Sequence, residues 1–477
     1  MNFRTMAFSA ACLACAASAR ADRIFADGFQ VPVPPSQFPI VGDQYQIPSG
    51  PAADQLAWII AELKGTETTT PAEISAHFAS SFNPGSTASF FASLRGLWPN
   101  AVVTDVIGVT PVDLTVLINV PGGGAGTQAA PSGFLHLQAQ YTGGKLVTLF
   151  SVSNFSGSVM YAADQSLTLA QALTRFHTLS ANPALLVGRI SRTTGACSAI
   201  AGDAQDQLRA TASIFKTWVL GGLADAVAAN AVRIDQTVPL QAGYIAPGGE
   251  INSEPLGTLF PVSDLAALMM GISDNTATDH IHHLTGRTTI NAFVDRSGVA
   301  DPNVLKPVLD ISEQFHLFDS FPLATALQYV NGTEAFQQQF LDQQIVPLGP
   351  DTQNGGYNNV PLYTSGSWRA SPLDICAAFS RLRREAQGSD QMWLVDHALG
   401  AQAAQPSVRD LWNRVWYKGG SLSSSDGYHV LTHAWMLENT GEDPYVVIAM
   451  SNSDNGGIDQ YQVQSVTGRI LQLLAAM

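Results

Sequence analysis

Apolar residues recur at helical spacing from Ala52 to Gly65, with Leu56, Ile59, Ile60 and Leu63 on one side, and predict an amphipathic helix. Thr70-Pro71-Ala72-Glu73 supplies an N-cap, a proline at the first helical position and an acidic first turn, so a second helix opens there. A third helix is predicted near Ser86 to Trp98. The period then changes from helical to alternating. Val102 to Ile107, Leu114 to Val120, Phe134 to Tyr141 and Lys145 to Val152 read as strands, separated by turn material at Thr110-Pro111, Pro121-Gly122-Gly123-Gly124 and Thr142-Gly143-Gly144. Three helices followed by a sheet predict a small α+β domain over residues 51–158.

From Ser166 the pattern changes again. A helix through Arg175 to Leu179 leads to a strand at Ala184 to Ile190 and another near Ala196 to Ala201. An apolar helical run over Ser213 to Val227 opens a mostly helical stretch that reaches about Leu382. Strands resume at Val415 to Ser421, His429 to Glu438 and Tyr445 to Ser451, and an amphipathic helix, Gln460 to Leu474, closes the chain. Two strands at the start and three at the end of a helical insert imply an antiparallel sheet flanked by helices. The chain is thus α+β, or α/β in the broad sense, with its second domain over residues 159–477. No internal repeat is present.

Composition sharpens this picture. A length of 477 residues exceeds one ordinary core, and 46% apolar with only 13% charged residues permits extensive burial. A formal charge of −15 argues against nucleic acid and anionic membranes as partners. Arg4, the Ala-rich apolar run Met6 to Ala17 and the small-x-small site Ala19-Arg20-Ala21 read as an export signal over residues 1–21, cut before Asp22. Periplasmic or secreted localisation is therefore expected, with no membrane span in the mature chain. Residues 22–50, with Val31-Pro32-Val33-Pro34-Pro35, read as an extended linker. Cys12 and Cys15 leave with the signal. Cys197 and Cys376 remain, either bridged or as two buried thiols.

Only five lysines occur, and two of them sit in short polar strings: Ser213-Ile214-Phe215-Lys216 and Lys418-Gly419-Gly420-Ser421. Between them lies Ser273-Asp274-Asn275. Residues three apart share a helix face, so the Lys216 amine can sit beside the Ser213 hydroxyl. A serine needs a neighbouring base to attack at neutral pH, and a desolvated lysine can be one. Each string alone has a plainer reading: an N-cap with a surface lysine, a helix-capping turn, and a glycine turn. Their joint order and their fit to the strand–helix pattern favour chemistry.

S-x-x-K, S-D-N and a C-terminal K-x-G, in that order, resemble the marks of class A β-lactamases and penicillin-binding proteins. The longer string Ile272-Ser273-Asp274-Asn275-Thr276-Ala277-Thr278-Asp279 strengthens the resemblance, which covers about Ser166 to Met477. It implies a serine β-lactamase-like domain: a five-stranded antiparallel sheet flanked by helices, plus an all-helical subdomain. The preceding small domain resembles the cystatin-like, NTF2-like fold. The implied roles follow residue by residue. Ser213 is the nucleophile. Lys216 accepts its proton or holds a water network that does. Ser273 relays a proton to the leaving nitrogen. Asn275 binds the substrate amide side chain and positions Lys216. Lys418 lowers the pKa of Ser273 or attracts a carboxylate. Gly419 and Gly420 admit the substrate backbone beside their strand, and the backbone N–H groups of Ser213 and Ser421 form the oxyanion hole.

Two departures stand out. Gly419 occupies a place where a threonine or serine hydroxyl is usual, with Ser421 as a replacement candidate. No E-x-x-L-N string follows Asn275 to supply the deacylating glutamate; by spacing Glu313 is the nearest candidate, although Leu317 stands where the asparagine belongs. A helix-surface carboxylate is the plainer reading of Glu313. His280, His282 and His283, with Asp279, are expected to be a helix flank and not metal ligands; His77 and His136 are expected to be structural. Trp368 through Asp374 reads as a helix start, capped by Ser371 with Pro372 at its first position. The expected function is an exported serine hydrolase acting through an acyl-enzyme on a small-molecule β-lactam or related amide, with no cofactor. A D-Ala-D-Ala peptidase or esterase, and a non-hydrolysing β-lactam- or peptidoglycan-binding module, are the alternatives.

Overall fold

The structure, a computed structural model, describes residues 38, 40–41, 44–45, 47–99, 101–119, 133–154, 160–352, 357–387 and 389–477. The export signal and most of the proline-rich linker read from the sequence lie outside the described residues. So does the glycine run at Pro121 to Gly124.

Three helices come first: α1 (Pro51–Lys64), α2 (Pro71–His77) and α3 (Pro84–Leu97). All three start on a proline, whose missing N–H costs nothing in a first turn. Thr70 and Glu73 close a reciprocal capping box at α2, and the Asn83 side chain caps α3. The four strands β1 (Val102–Val109), β2 (Asp113–Asn119), β3 (Gly133–Ala139) and β4 (Val147–Asn154) pair antiparallel in simple order. Alternation along β3 buries Leu135 and Leu137 against Leu56, Ile59 and Phe91 of the helices.

Next come α4 (Leu169–His177), β5 (Asn182–Ile190) and β6 (Cys197–Asp203). They belong with three late strands: β7 (Arg414–Ser424), β8 (Gly427–Glu438) and β9 (Tyr445–Asn452). The five form one antiparallel sheet in the order β7-β8-β9-β5-β6, with β7 at an open edge. The inner strands are buried on both faces, so they read as continuous apolar runs whose alternate residues enter two different cores. Ala184, Leu186, Val446 and Ile448 pack with Phe215, Trp218 and the central helices. Leu185, Val187, Val447 and Ala449 pack with Phe176 and with Val466 and Ile470 of the terminal helix, Gln460–Ala475.

Between β6 and β7 lies the helical portion. The expected helix from Ser213 divides: Ala212–Phe215 is a single 3-10 turn, and α5 runs from Lys216 to Ala228. The turn is forced by the short pairing of Arg209–Ala210 with Arg369–Ala370, after which Ala212 turns the chain at φ 43°. Helix α5 is apolar on all sides and correspondingly buried around its circumference. It is enclosed by α6 (Val262–Gly271), α7 (Asn275–Thr285) and α8 (Arg287–Arg296). Beyond these, α9 (Ile311–Asp319), α10 (Leu323–Val330) and α11 (Glu334–Phe340) build a further lobe around Leu317, Phe318 and Tyr329. Then α12 (Pro372–Ala386) begins at the Ser371–Asp374 capping box, as the Trp368 to Asp374 stretch predicts. No helix among the described residues is long and apolar enough to cross a membrane.

The first four-stranded unit is bonded to the second part at two places. Along β1, Val109 N–H donates to Ala401 O (2.7 Å), and Ala403 N–H donates to Ile107 O (2.8 Å). At the other, the Glu254 carboxylate accepts from Tyr141 N (2.6 Å), Thr142 N (3.1 Å) and Thr142 Oγ1 (2.6 Å).

Cys197 and Cys376 form a disulfide joining β6 to α12 across a sequence separation of 179. Closing so long a loop restricts the unfolded chain, an effect typically worth about 2–4 kcal/mol. Cys376→Ser is therefore expected to lower the unfolding free energy by that amount in urea titrations. A midpoint unmoved by the substitution would refute it.

Candidate functional site

Ser213 lies in the 3-10 turn that leads into α5, partly exposed, while its neighbours Ala212, Ile214 and Phe215 are buried. Phe215 stacks on Trp368 with ring centroids 3.8 Å apart, and Thr211 N–H donates to Trp368 O (2.8 Å), so the turn is fixed from behind. One turn along, Lys216 begins α5 and is wholly buried. Its Nζ reaches Ser273 O (2.6 Å), Ser273 Oγ (3.1 Å) and Asn275 Oδ1 (2.7 Å).

Ser273 sits between α6 and α7 at φ 62°, in the left-handed region that a non-glycine residue enters at a cost. Asp274 holds it there. Buried and capping α7, its carboxylate accepts from Ala277 N (2.7 Å) and Ile251 N (3.1 Å). The central residue of Ser273-Asp274-Asn275 thus sets the geometry while its two neighbours face Lys216. Asn275 Nδ2 also donates to Pro247 O (2.5 Å), tying it to the loop that borders the site.

From the opposite side comes β7. Lys418 is buried, and its Nζ donates to Ser273 Oγ (2.9 Å) and to Gly419 O (2.6 Å). One serine hydroxyl therefore lies between two amines. Burial pushes Lys216 down to about 7, with Asp274 and Asp279 working in the opposite direction. Burial, then the charge of Lys216, hold Lys418 well below the usual lysine range. A neutral Lys216 keeps two N–H groups for Ser273 O and Asn275 Oδ1 and has a lone pair to take up a proton, while Lys418 donates to the Ser273 hydroxyl.

Gly420 sets the distance between β7 and the Ser213 turn. A Cβ there would lie 2.5 Å from Thr211 O and 2.7 Å from Ser213 N. Thr432, opposite Gly420 on β8, donates from Oγ1 to Thr211 O (2.9 Å) and locks this approach. Position 419 is glycine for another reason. A Cβ there would meet the Tyr417 hydroxyl at 2.2 Å, and that hydroxyl is hydrogen-bonded to His433 Nδ1 (2.7 Å). Ser421, two residues along the strand, is exposed.

All eight residues singled out in the sequence thus lie around the Ser213 turn, the Ser273 turn and the β7 edge. Glu313 does not. Its two oxygens accept from Arg287 Nη2 (2.6 and 2.8 Å), and Oε2 also accepts from Asp310 N in the cap of α9. Burial pushes its carboxyl up and Arg287 pulls it back. It is a buried ion-pair partner and not the helix-surface carboxylate of the plainer reading. The stretch with leucine at the E-x-x-L-N spacing is Lys306-Pro307-Val308-Leu309-Asp310, where lysine replaces glutamate and aspartate replaces asparagine. Lys306 Nζ is turned to Asp295 (2.7 Å) and Glu334 (3.6 Å).

The three histidines of α7 are engaged in scaffold contacts. His280 Nε2 accepts from Gln241 N, His282 Nε2 bonds Val308 O, and His283 Nε2 bonds Asp310 Oδ2. Among the described residues, no group of three His, Cys, Asp or Glu side chains could hold a metal ion. Asp274 was read only as the middle of the Ser273-Asp274-Asn275 string and Trp368 only as part of a helix start, and Thr432 carried no signal as a support of the Ser213 turn.

Residues 190–354 match the model of the beta-lactamase enzyme family. None of the curated proteins matches the chain. Among solved structures, a β-lactamase from Chitinophaga pinensis DSM 2588 is similar at 13% identity, covering 64% of this chain and 97% of its own, with a TM-score of 0.44. A β-lactamase from Sphaerobacter thermophilus DSM 20745 is similar at 18% identity over 64% of this chain and 94% of its own, TM-score 0.43. The protein PBP-A is similar at 16% identity over 65% and 97%, TM-score 0.41.

Gly420→Ala is expected to force β7 away from the Ser213 turn, costing about 1–3 kcal/mol as overpacking does. Urea unfolding of the purified variant checks this; a midpoint equal to wild type would show that the strand yields freely.

Proposed function

We propose that this chain, whose residues 190–354 match the model of the beta-lactamase enzyme family, is an exported hydrolase that acylates Ser213 with β-lactams or related amides. The single observation behind this reading is the Ser273 hydroxyl held between two desolvated amines, 3.1 Å from Lys216 Nζ and 2.9 Å from Lys418 Nζ. The Ser213 hydroxyl attacks the substrate carbonyl and its proton passes to neutral Lys216. The carbonyl oxygen, now negative, lies against the backbone N–H groups of Ser213 and Ser421. Collapse breaks the carbon–nitrogen bond, and the proton moves through Ser273 to the departing nitrogen. Asn275 and the open edge of β7 orient the substrate, whose carboxylate is drawn by Lys418.

Release is the slow half of the cycle. Glu313 is occupied by Arg287 and Lys306 stands at the glutamate's place, so neither position supplies a free carboxylate to activate a water. Benzylpenicillin is expected to leave a persistent adduct in intact-mass measurements on wild type and none on Ser213→Ala; an equal adduct on both would overturn the reading. Because Lys216 must be neutral to accept a proton and is pushed down to about 7, the acylation rate is expected to rise through pH 7 and then level. Lys216→Met should cost roughly 10²–10⁴-fold in that rate. A flat profile between pH 5 and 9 would rule out the lysine as base.

A second reading has its own support. β7 is an open edge strand with Ser421 and Ser423 exposed, suited to an added peptide strand. Turnover of D-Ala-D-Ala peptides or small acyl esters, with β-lactams acting only as slow inhibitors, would favour the peptidase or esterase. Absence of any adduct would favour the non-hydrolysing binding module.

A further inference from the structure

A small pocket, open to solvent on one side, lies between the 303–309 loop, helices α9 to α11 and the short strand Arg369–Ala370. Its lining includes Arg369, Trp368, Tyr329, Gln314, Asn303 and Lys306.

Arg369 is the unusual member. The other half-buried or buried arginines among the described residues have partners. Arg287 pairs with Glu313, Arg383 and Arg414 pair with Glu438, and Arg409 donates to the carbonyls of Val106 and Gly400. Arg369 is half-buried, and among the described residues its guanidinium meets neither an acid nor a carbonyl. Arg189, also half-buried, is bonded to the Tyr445 hydroxyl and lies over its ring, and Arg192 is exposed. Burial alone acts on Arg369 and holds its pKa below the usual arginine range. Leaving a guanidinium partly dehydrated without an anion is costly.

Tyr329, almost wholly buried in the opposite wall, has a hydroxyl that likewise meets no hydrogen-bond partner among the described residues. Gln314 donates from Nε2 to Gly366 O (3.3 Å), which leaves its carbonyl oxygen for a bound molecule. The cavity therefore offers a planar cation, a hydroxyl and an amide, all without internal partners for those atoms.

We propose that this cavity is a second binding site, for a small molecule bearing a single carboxylate gripped by the Arg369 fork. A guanidinium matches a carboxylate with two parallel N–H···O bonds. The other cation in the wall, Lys306, is already neutralised by Asp295 and Glu334, so one negative charge fits better than the two of a phosphate. The site is distinct from the Ser213 cleft and does not depend on the acyl-transfer reading. It reaches that cleft through Trp368, whose ring stacks on Phe215 and whose carbonyl holds Thr211.

Isothermal titration of the full chain with N-acetyl-D-alanine, benzoate and acetate, and with inorganic phosphate in a parallel arm, tests this. At least one carboxylate should bind saturably at one site, unchanged in Ser213→Ala, weakened at least tenfold in Arg369→Gln and about threefold in Tyr329→Phe. If Arg369→Gln does not fold, Arg369→Lys, which keeps the charge but loses the fork, should weaken binding about tenfold. No saturable binding, binding indifferent to both residues, preference for phosphate, or loss in Ser213→Ala would each overturn it.

Discussion

Two lysine side chains cannot both remain charged within reach of one hydroxyl in a dry setting, and the candidate site is built on that conflict. Each amine arrives on a rigid element, Lys216 at the head of an apolar helix and Lys418 on a sheet edge. Lys216 is wholly buried at the head of α5. The partners it does find are the carbonyl and hydroxyl of Ser273 and the carbonyl oxygen of Asn275. Desolvation makes the lysine a base near neutrality, and the polar triad keeps the neutral form satisfied. The rest of the second domain can be understood as the scaffold that keeps this arrangement closed.

Backbone conformation carries part of that burden. Ala212 and Ser273 both sit at positive φ, at 43° and 62°, on the two turns that face each other. Such conformations persist only where surroundings overdetermine them. Here Trp368 and Thr432 hold the first turn, and the Asp274 carboxylate holds the second. Departure from the usual third motif also has a local cause. The Tyr417 hydroxyl, bonded to His433, fills the space that a side chain at 419 would need.

Much of this was legible in the chain itself, because the signals were local. Apolar periodicity marked the helices and strands, and the strings S-x-x-K, S-D-N and K-x-G, far apart in the chain, come together in the fold through Lys216, Ser273 and Lys418. Thr70, Ser371 and their partners three residues on were readable as caps, since a capping box needs only four residues. What was not legible depends on distant contacts. The split of the Ser213 helix into a 3-10 turn follows from a pairing with residues 369–370, more than 150 positions away. The role of Glu313 could not be read from spacing, because Arg287, 26 residues earlier, decides it. Bridging of Cys197 to Cys376 was likewise a matter of three-dimensional proximity.

The Glu254 carboxylate is fastened to the Tyr141–Thr142 hairpin of the first unit, and Glu254 directly follows the turn at Glu250–Ser253. That turn donates Ile251 N–H to Asp274, which in turn shapes Ser273 and Asn275. The hairpin tip is therefore linked to the Ser273 turn through one carboxylate and one short turn. Without the first unit, the Glu254 carboxylate would lose all three of its partners on Tyr141 and Thr142, so the two pieces are structurally interdependent at this point.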